Sequence, residues 1–217
     1  MTGKVLELFA HKIYEVEFPE FNKIQRQLIE EVSTYFDKNF ISDYNLHDHP
    51  IRNGYLKDVY NSRITTEVNH PNLKSVLDFI TVEGKKYWDE ILGYHDALDP
   101  YILNAWVTAV KQGGFVASHN HNPIPVAAVF YIKAEQEQGN LYLENPSDIF
   151  IGRAPYKANS GYVPQRFNYE IQATSGKLVL FPGWMKHFTK ENTTDDIRIS
   201  MAVNFGCQGQ VYFTDLG

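Results

Sequence analysis

The 217-residue chain has one cysteine, Cys207, and no long apolar run. A single thiol excludes an internal disulfide and suits a reducing compartment, so a cytoplasmic protein is expected. The longest apolar stretch, Ile124–Ile132, falls far short of the ~20 residues a membrane span needs. The opening residues Met1–Phe9 place Lys4 and Glu7 inside their apolar stretch, which is not the pattern of a signal peptide. Positive charge is also in deficit. Lys and Arg number 20 against 26 Asp and Glu, a net charge of −6, with a pI of about 5.7. That balance disfavours binding to nucleic acid or to an anionic membrane. Internal repeats and low-complexity tracts are absent as well. What is present is 43% hydrophobic and 14% aromatic residues, enough to argue against disorder. The length fits one domain, residues 1–217, able to bury roughly 70% of its unfolded surface without a disulfide or zinc staple.

The pattern along the chain divides it near residue 98. Val5–Phe18 reads as two short strands. After Pro19, the residues Phe21, Ile24, Leu28, Val32, Tyr35 and Phe36 form the stripe of an amphipathic helix facing a core. Phe40–Asn69 is polar and without clear period, so a loop is expected, with room for a short strand. Pro71 opens a second helix through Leu73, Val76, Leu77 and Ile80 towards Tyr87, Trp88 and Ile91, with Gly84 interrupting it and Gly93 ending it. From Asp99 the character changes to short Val-, Ile-, Tyr- and Phe-rich runs between turn residues. Strands are expected at Tyr101–Lys111, Phe115–Ser118, Val126–Lys133, Asn140–Glu144, Lys177–Phe181, Lys186–Thr189, Asp196–Phe205 and Gln210–Thr214. Such a block predicts a mainly β jelly roll or barrel over 99–217, supported by the helical region 1–98. The Pro- and Gly-rich stretch Asn145–Glu170 breaks the rhythm, and a loop of that length is either an active-site flap or an insertion.

Eight histidines include two H-x-H pairs, His47/His49 and His119/His121. On a strand, residues two apart share a face, so either pair can offer two imidazoles to one metal. His47 and His49 sit in the polar, unpatterned region and read as solvated loop. His119 and His121 lie between strand signals, and His187 follows Phe181-Pro182 after four intervening residues. Arg198 comes eleven residues after His187. Alternation sets Arg198, Ser200, Ala202 and Asn204 on one face and Ile197, Ile199, Met201, Val203 and Phe205 on the other. If the apolar face is core, Arg198 enters the barrel, which is costly unless it meets an anion. A guanidinium grips a carboxylate bidentately, and the Ser200 hydroxyl adds a donor.

The ordered set His119-x-His121, Phe181-Pro182-x4-His187 and Arg198-x-Ser200 resembles the Fe(II)- and 2-oxoglutarate-dependent dioxygenases. It is nearest a small subfamily with H-x-H where most members have H-x-D. The resemblance runs from about Tyr101 to Gly206, roughly half of the chain. It implies a double-stranded β-helix, with His119, His121 and His187 as Fe(II) ligands. It further implies that Arg198, helped by Ser200, pairs with the distal carboxylate of 2-oxoglutarate. Asn104, Asn204 and Tyr131 are further candidates around the cosubstrate, and Trp184, Arg153 and Arg166 around the substrate. The implied reaction couples decarboxylation of 2-oxoglutarate by O2 to hydroxylation of a small-molecule or peptide substrate. The usual facial triad has a carboxylate where this chain has His121, so either His121, Glu144 or water completes the site. A rival reading takes the same histidines as a Zn(II) or Ni(II) centre of a cupin-like isomerase, lyase or binding module. Arg198-x-Ser200 separates the two, since a plain zinc site has no need of it. A third reading, histidines that merely pack in an interaction protein, predicts no bound metal.

Overall fold

A computed structural model describes residues 10–39, 56–64, 69–146 and 168–209. In chain order its strands are β1 (Tyr14–Glu17), β2 (Leu56–Ile64), β3 (Leu98–Val116), β4 (Val126–Lys133), β5 (Leu141–Glu144), β6 (Asn168–Ile171), β7 (Lys177–Pro182), β8 (His187–Thr189) and β9 (Arg198–Gly209). Helices α1 (Gln25–Asn39) and α2 (Pro71–Lys86) precede β3. Six strands form a large antiparallel sheet in the order β1-β7-β4-β9-β3-β2, and three form a small one, β6-β5-β8. The fold is a mainly β jelly roll with helical support.

Period-2 alternation decides which residues meet which layer. On β9, Ile199, Met201, Val203 and Phe205 join Ala128, Phe130 and Ile132 of β4, Leu178 and Leu180 of β7 and Ala105 and Val107 of β3 in one buried cluster. The cluster is completed by Leu28 and Val32 of α1 and Leu73, Val76 and Ile80 of α2. The helices thus cover the outer face of the large sheet. The other face of the same strands supplies Ala127, Tyr131, Val179 and Phe181, which pack with Leu141, Leu143 and Ile171 of the small sheet. That second face is the lumen.

The two helices are joined by a borrowed cap. His70 precedes α2 without capping it through its side chain. The Glu31 carboxylate of α1 instead accepts from the Leu73 backbone N–H at 2.8 Å and from the Asn72 side chain at 2.6 Å. A carboxylate there meets both the orphan donors and the positive end of the helix dipole.

Several expectations are corrected. Gly84 does not interrupt α2, which runs through it into a π-helical turn, Tyr87–Leu92, that ends at Gly93 with φ +69°. The expected strands 101–111 and 115–118 are one continuous strand, because Gly113 at φ +77° is absorbed within it. Region 40–69 contains the nine-residue β2, and the end of the expected flap is β6. Only Tyr14–Glu17 of the expected N-terminal strand pair is strand among the described residues. Residues 210–214, and most of the stretch 145–170, lie outside the described residues.

Candidate metal and cosubstrate site

His119 and His187 form an isolated antiparallel bridge, exchanging both backbone hydrogen bonds at 3.0 and 2.8 Å. The segment carrying His119 is thereby tied across the lumen mouth to the first residue of β8. Two residues on, the His121 backbone N–H donates to Gly183 O at 2.7 Å. Both chain segments are pinned, and the three imidazoles converge. Their ring centroids lie 4.2 Å (His119–His187), 5.0 Å (His121–His187) and 5.2 Å (His119–His121) apart.

Each ring has one nitrogen spoken for. Nδ1 of His119 meets Ala117 O at 2.9 Å, and Nδ1 of His187 meets Met185 O at 3.0 Å. Nδ1 of His121 meets Asn204 Oδ1 at 2.5 Å. Every partner is an oxygen acceptor, so each Nδ1 carries the proton and each Nε2 keeps its lone pair. One nitrogen from each ring lies within 4.8 Å of the others. Burial lowers the pKa of all three rings, that of His187 to about 3. Neutral imidazoles with converging lone pairs are the state a divalent metal requires, and they fit Fe(II). Glu144, the alternative third ligand, is not among the residues that converge here. Its backbone N–H bonds Lys186 O at 2.9 Å, next to His187, but its carboxylate is not in the cluster of converging ligand atoms.

Arg198 is 2% exposed and forms no ion pair with any carboxylate among the described residues. Its Nη1 donates to the carbonyls of Gln138, at 3.0 Å, and Gly139. Nη2 lies 3.3 Å from the Thr189 hydroxyl, and Nε has no partner. Burial pushes the guanidinium pKa down. A buried cation held only by neutral oxygens, with one donor left over, fits a carboxylate ligand. Tyr131, in the same face of β4, is a neutral phenol whose pKa burial raises to about 12 despite Arg198 nearby.

The remaining candidates separate. Ser200 lies on the lumen face, opposite Tyr131 in the β4–β9 register. Asn104 pairs with Asn204 across β3 and β9, and its Oδ1 is buried without a partner. Asn204, expected at the cosubstrate, has its amide oxygen turned to Nδ1 of His121 and so holds that ring. Trp184 is exposed on the turn before His187, with its ring edge to His11 at 4.9 Å. Arg153, Arg166, His47 and His49 lie outside the described residues. Sequence reasoning missed Thr189 and the Gln138-Gly139 carbonyls, whose only local signal is strand alternation from His187 to Thr189.

Comparison with known proteins agrees with this geometry. Residues 104–204 match the family model described as "Putative 2OG-Fe(II) oxygenase". No curated protein matches by sequence. Among solved structures, a Pseudomonas putida prolyl-4-hydroxylase superposes with a TM-score of 0.61 at 14% identity, covering 92% of this chain and 95% of its own. A Trichoplax adhaerens prolyl hydroxylase, in complex with a hypoxia inducible factor peptide fragment, gives 0.62 at 13% identity, with coverage of 89% and 82%. HygX from Streptomyces hygroscopicus, with nickel, 2-oxoglutarate and hygromycin B bound, gives 0.60 at 11% identity, with coverage of 90% and 83%. At such identities the likeness is one of fold. The matched stretch runs from Asn104 to Asn204 and contains all three converging histidines and the buried arginine, and over that stretch the chain is similar to the 2OG-Fe(II) oxygenases.

Proposed function

We propose that the chain is a 2OG-Fe(II) oxygenase in which His119, His121 and His187 hold the Fe(II) and Arg198 receives the distal carboxylate of 2-oxoglutarate. The observation that carries the reading is the convergence of three ring nitrogens within 4.8 Å, each ring fixed in one tautomer through Nδ1. Fe(II) and 2-oxoglutarate, when bound, supply O2 activation: the keto acid leaves as succinate and carbon dioxide, and a substrate C–H becomes C–OH. The chain's own part is positional. Three neutral imidazoles bring no charge to the site, so the carboxylates of the cosubstrate become its principal anions. That arrangement strengthens the hold on the cosubstrate relative to a triad containing Asp or Glu. Phe181, set edge-on to His187 at 4.7 Å, and the apolar lumen residues Ala127 and Val129 keep water from that side.

The substrate class is a small molecule or a peptide, as in the two relatives with such ligands bound. No helix among the described residues is long and apolar enough to cross a membrane, and a cytoplasmic site of action accords with the single cysteine. The unit that acts is one domain, with 1–98 supporting the core 99–217.

The test is anaerobic titration of metal-free protein with Fe(II) and then 2-oxoglutarate, followed by visible absorption. A weak charge-transfer band is expected only when both are present, and His187→Ala should abolish it. Tight Fe(II) binding with no band on adding 2-oxoglutarate would overturn the reading.

A further inference from the structure

We infer that Tyr101, Asn104 and Asn204 form an uncharged ledge at the mouth of the lumen that binds the substrate by an amide edge, an N–H and a C=O presented side by side. This deepens the proposed function by naming the chemistry of the substrate, and it rests on that reading. A β-bulge builds the ledge. In the β3–β9 register Ile102 pairs with Phe205 and Asn104 with Asn204, so Leu103 is the extra residue. The bulge turns both Tyr101 and Asn104 to the face of Asn204 and Gly206, the kind of re-aiming that bulges bring about beside active sites. Tyr101 lies over Gly206, where a Cβ would meet its Cζ and hydroxyl oxygen at 3.1 Å. Along β9, Asn204 stands six residues beyond Arg198, roughly 20 Å of extended strand, and the His121 ring is on the Asn204 side. A five-carbon diacid with one end at Arg198 uses its length in reaching the histidines, which leaves the ledge to the substrate.

The free hydrogen-bonding groups specify the class of ligand. Asn204 gives its amide oxygen to the Nδ1–H of His121, which leaves its Nδ2 as a donor turned the other way. That donor has no acceptor among the described residues. Asn104 Oδ1 is buried and has no donor, although the two residues are register partners and such pairing sets Cβ atoms only about 5 Å apart. One unused donor and one unused acceptor therefore stand side by side on neighbouring strands. The Tyr101 hydroxyl, on a side chain 41% exposed, closes the outer end. A carboxylate has no hydrogen for Asn104, and an ammonium has no acceptor for Asn204. A primary carboxamide has both on one edge, and so does a single residue of an extended peptide. Tyr101, Asn104, Asn204 and Gly206 include no acidic or basic side chain, so nothing in these two rows favours an ion over a neutral amide.

The experiment measures binding beside the metal, not turnover. Protein loaded with Mn(II) and 2-oxoglutarate is mixed in turn with propionamide and with N-acetylglycine N-methylamide. Methyl propionate, which lacks the N–H, and propan-1-ol serve as controls. The readout is the relaxation that Mn(II) imparts to the methyl protons of each probe. An amide should be relaxed about fivefold more than the controls, the worth of one neutral hydrogen bond. An excess for propionamide alone identifies a side-chain carboxamide as the source, and for the capped glycine alone a peptide backbone. Asn104→Leu should remove the excess and leave the affinities for Mn(II) and 2-oxoglutarate unchanged, which also shows that the variant is folded. Tyr101→Phe should reduce the excess without removing it. Equal relaxation of amides and controls, or an excess that survives Asn104→Leu, overturns the inference. So does a loss of 2-oxoglutarate affinity in Asn104→Leu, which would return Asn104 to the cosubstrate. If the relaxation of water protons shows that Mn(II) does not bind at all, the reading of the histidines falls first and the ledge falls with it.

Discussion

At the scale of single residues, the site is built from groups whose second partner determines what the first can do. Asn204 is the case at the proposed metal centre. Its amide oxygen holds Nδ1–H of His121, which keeps the ring turned inward and its Nε2 basic. Asn204→Ala should therefore weaken metal binding by about 10- to 100-fold with the fold intact, as read by competition with a chelating dye. Unaltered metal affinity would mean that His121 is positioned by its backbone bond to Gly183 alone. Arg198 is the same case in the proposed cosubstrate seat. On that reading Arg198→Ala removes a charge-assisted clamp worth about 2–4 kcal/mol, or roughly 30- to 1000-fold in the dissociation constant for 2-oxoglutarate, measurable by anaerobic calorimetry on Mn(II)-loaded protein. Arg198→Lys should recover little, because an ammonium cannot span two carboxylate oxygens and also reach the Gln138 and Gly139 carbonyls.

At the scale of elements, close approach overrides local propensity. Gly84 is the least helix-favouring residue in the interior of α2, yet the helix passes through it unbroken. A Cβ at that position would lie 2.2 Å from Phe205 Cζ, and the Phe205 ring is wholly buried and has nowhere to go. Gly84→Ala gains about 1 kcal/mol of helix propensity but overpacks the contact at a cost of about 1–3 kcal/mol or more. The expected net effect is destabilisation in a urea melt; a stabilised variant would show that the α2–β9 spacing can relax. This contact also explains why the sequence misleads at Gly84, since nothing near residue 84 announces residue 205. Elements whose pattern is local were legible: β4 was read with its observed ends, and α1 and α2 from their stripes. β2, with Lys57, Asp58, Asn61 and Arg63 among its nine residues, was not. It is an edge strand, where one margin faces away from the sheet and a polar composition is tolerated. The candidate site divides in the same way. His119-x-His121 and His187 with Arg198 eleven residues on are each local patterns that the sequence offers, whereas the joining of the two halves, Asn204 on His121 and Thr189 on Arg198 arise only when β8 and β9 are brought to the lumen.

At the scale of the whole molecule, three neutral histidines, His187 buried and His119 and His121 half-buried, link protons to stability and, on the proposed reading, to metal. In the unfolded chain a histidine has a pKa near 6.5, whereas in the folded protein burial lowers His187 to about 3 and lowers His119 and His121 as well. Below pH 6.5 the unfolded state takes up protons that the folded state refuses. Stability is therefore complete above about pH 6.5 and is lost as the pH falls towards 3, at up to ~1.4 kcal/mol per unit for each ring that stays neutral. Asp196, whose pKa the Lys133 ammonium lowers, contributes in the same direction but only below its ordinary value of 3.8. A decline between pH 6.5 and 5 thus belongs to the histidines. Metal bound to the same three nitrogens adds RT ln(1 + [M]/Kd), about 2.7 kcal/mol at a hundredfold excess over Kd. Because metal and protons compete for the rings, that increment should shrink as the pH drops. Thermal unfolding of metal-free and Mn(II)-loaded protein at pH 8 and pH 5 separates the effects. The expected result is a large metal-induced rise in Tm at pH 8, a smaller one at pH 5, and a lower metal-free Tm at pH 5 than at pH 8. In His187→Ala both the metal increment and part of the pH dependence should go together. A variant that loses the first and keeps all of the second would separate metal binding from the buried imidazoles and place the acid sensitivity elsewhere in the fold.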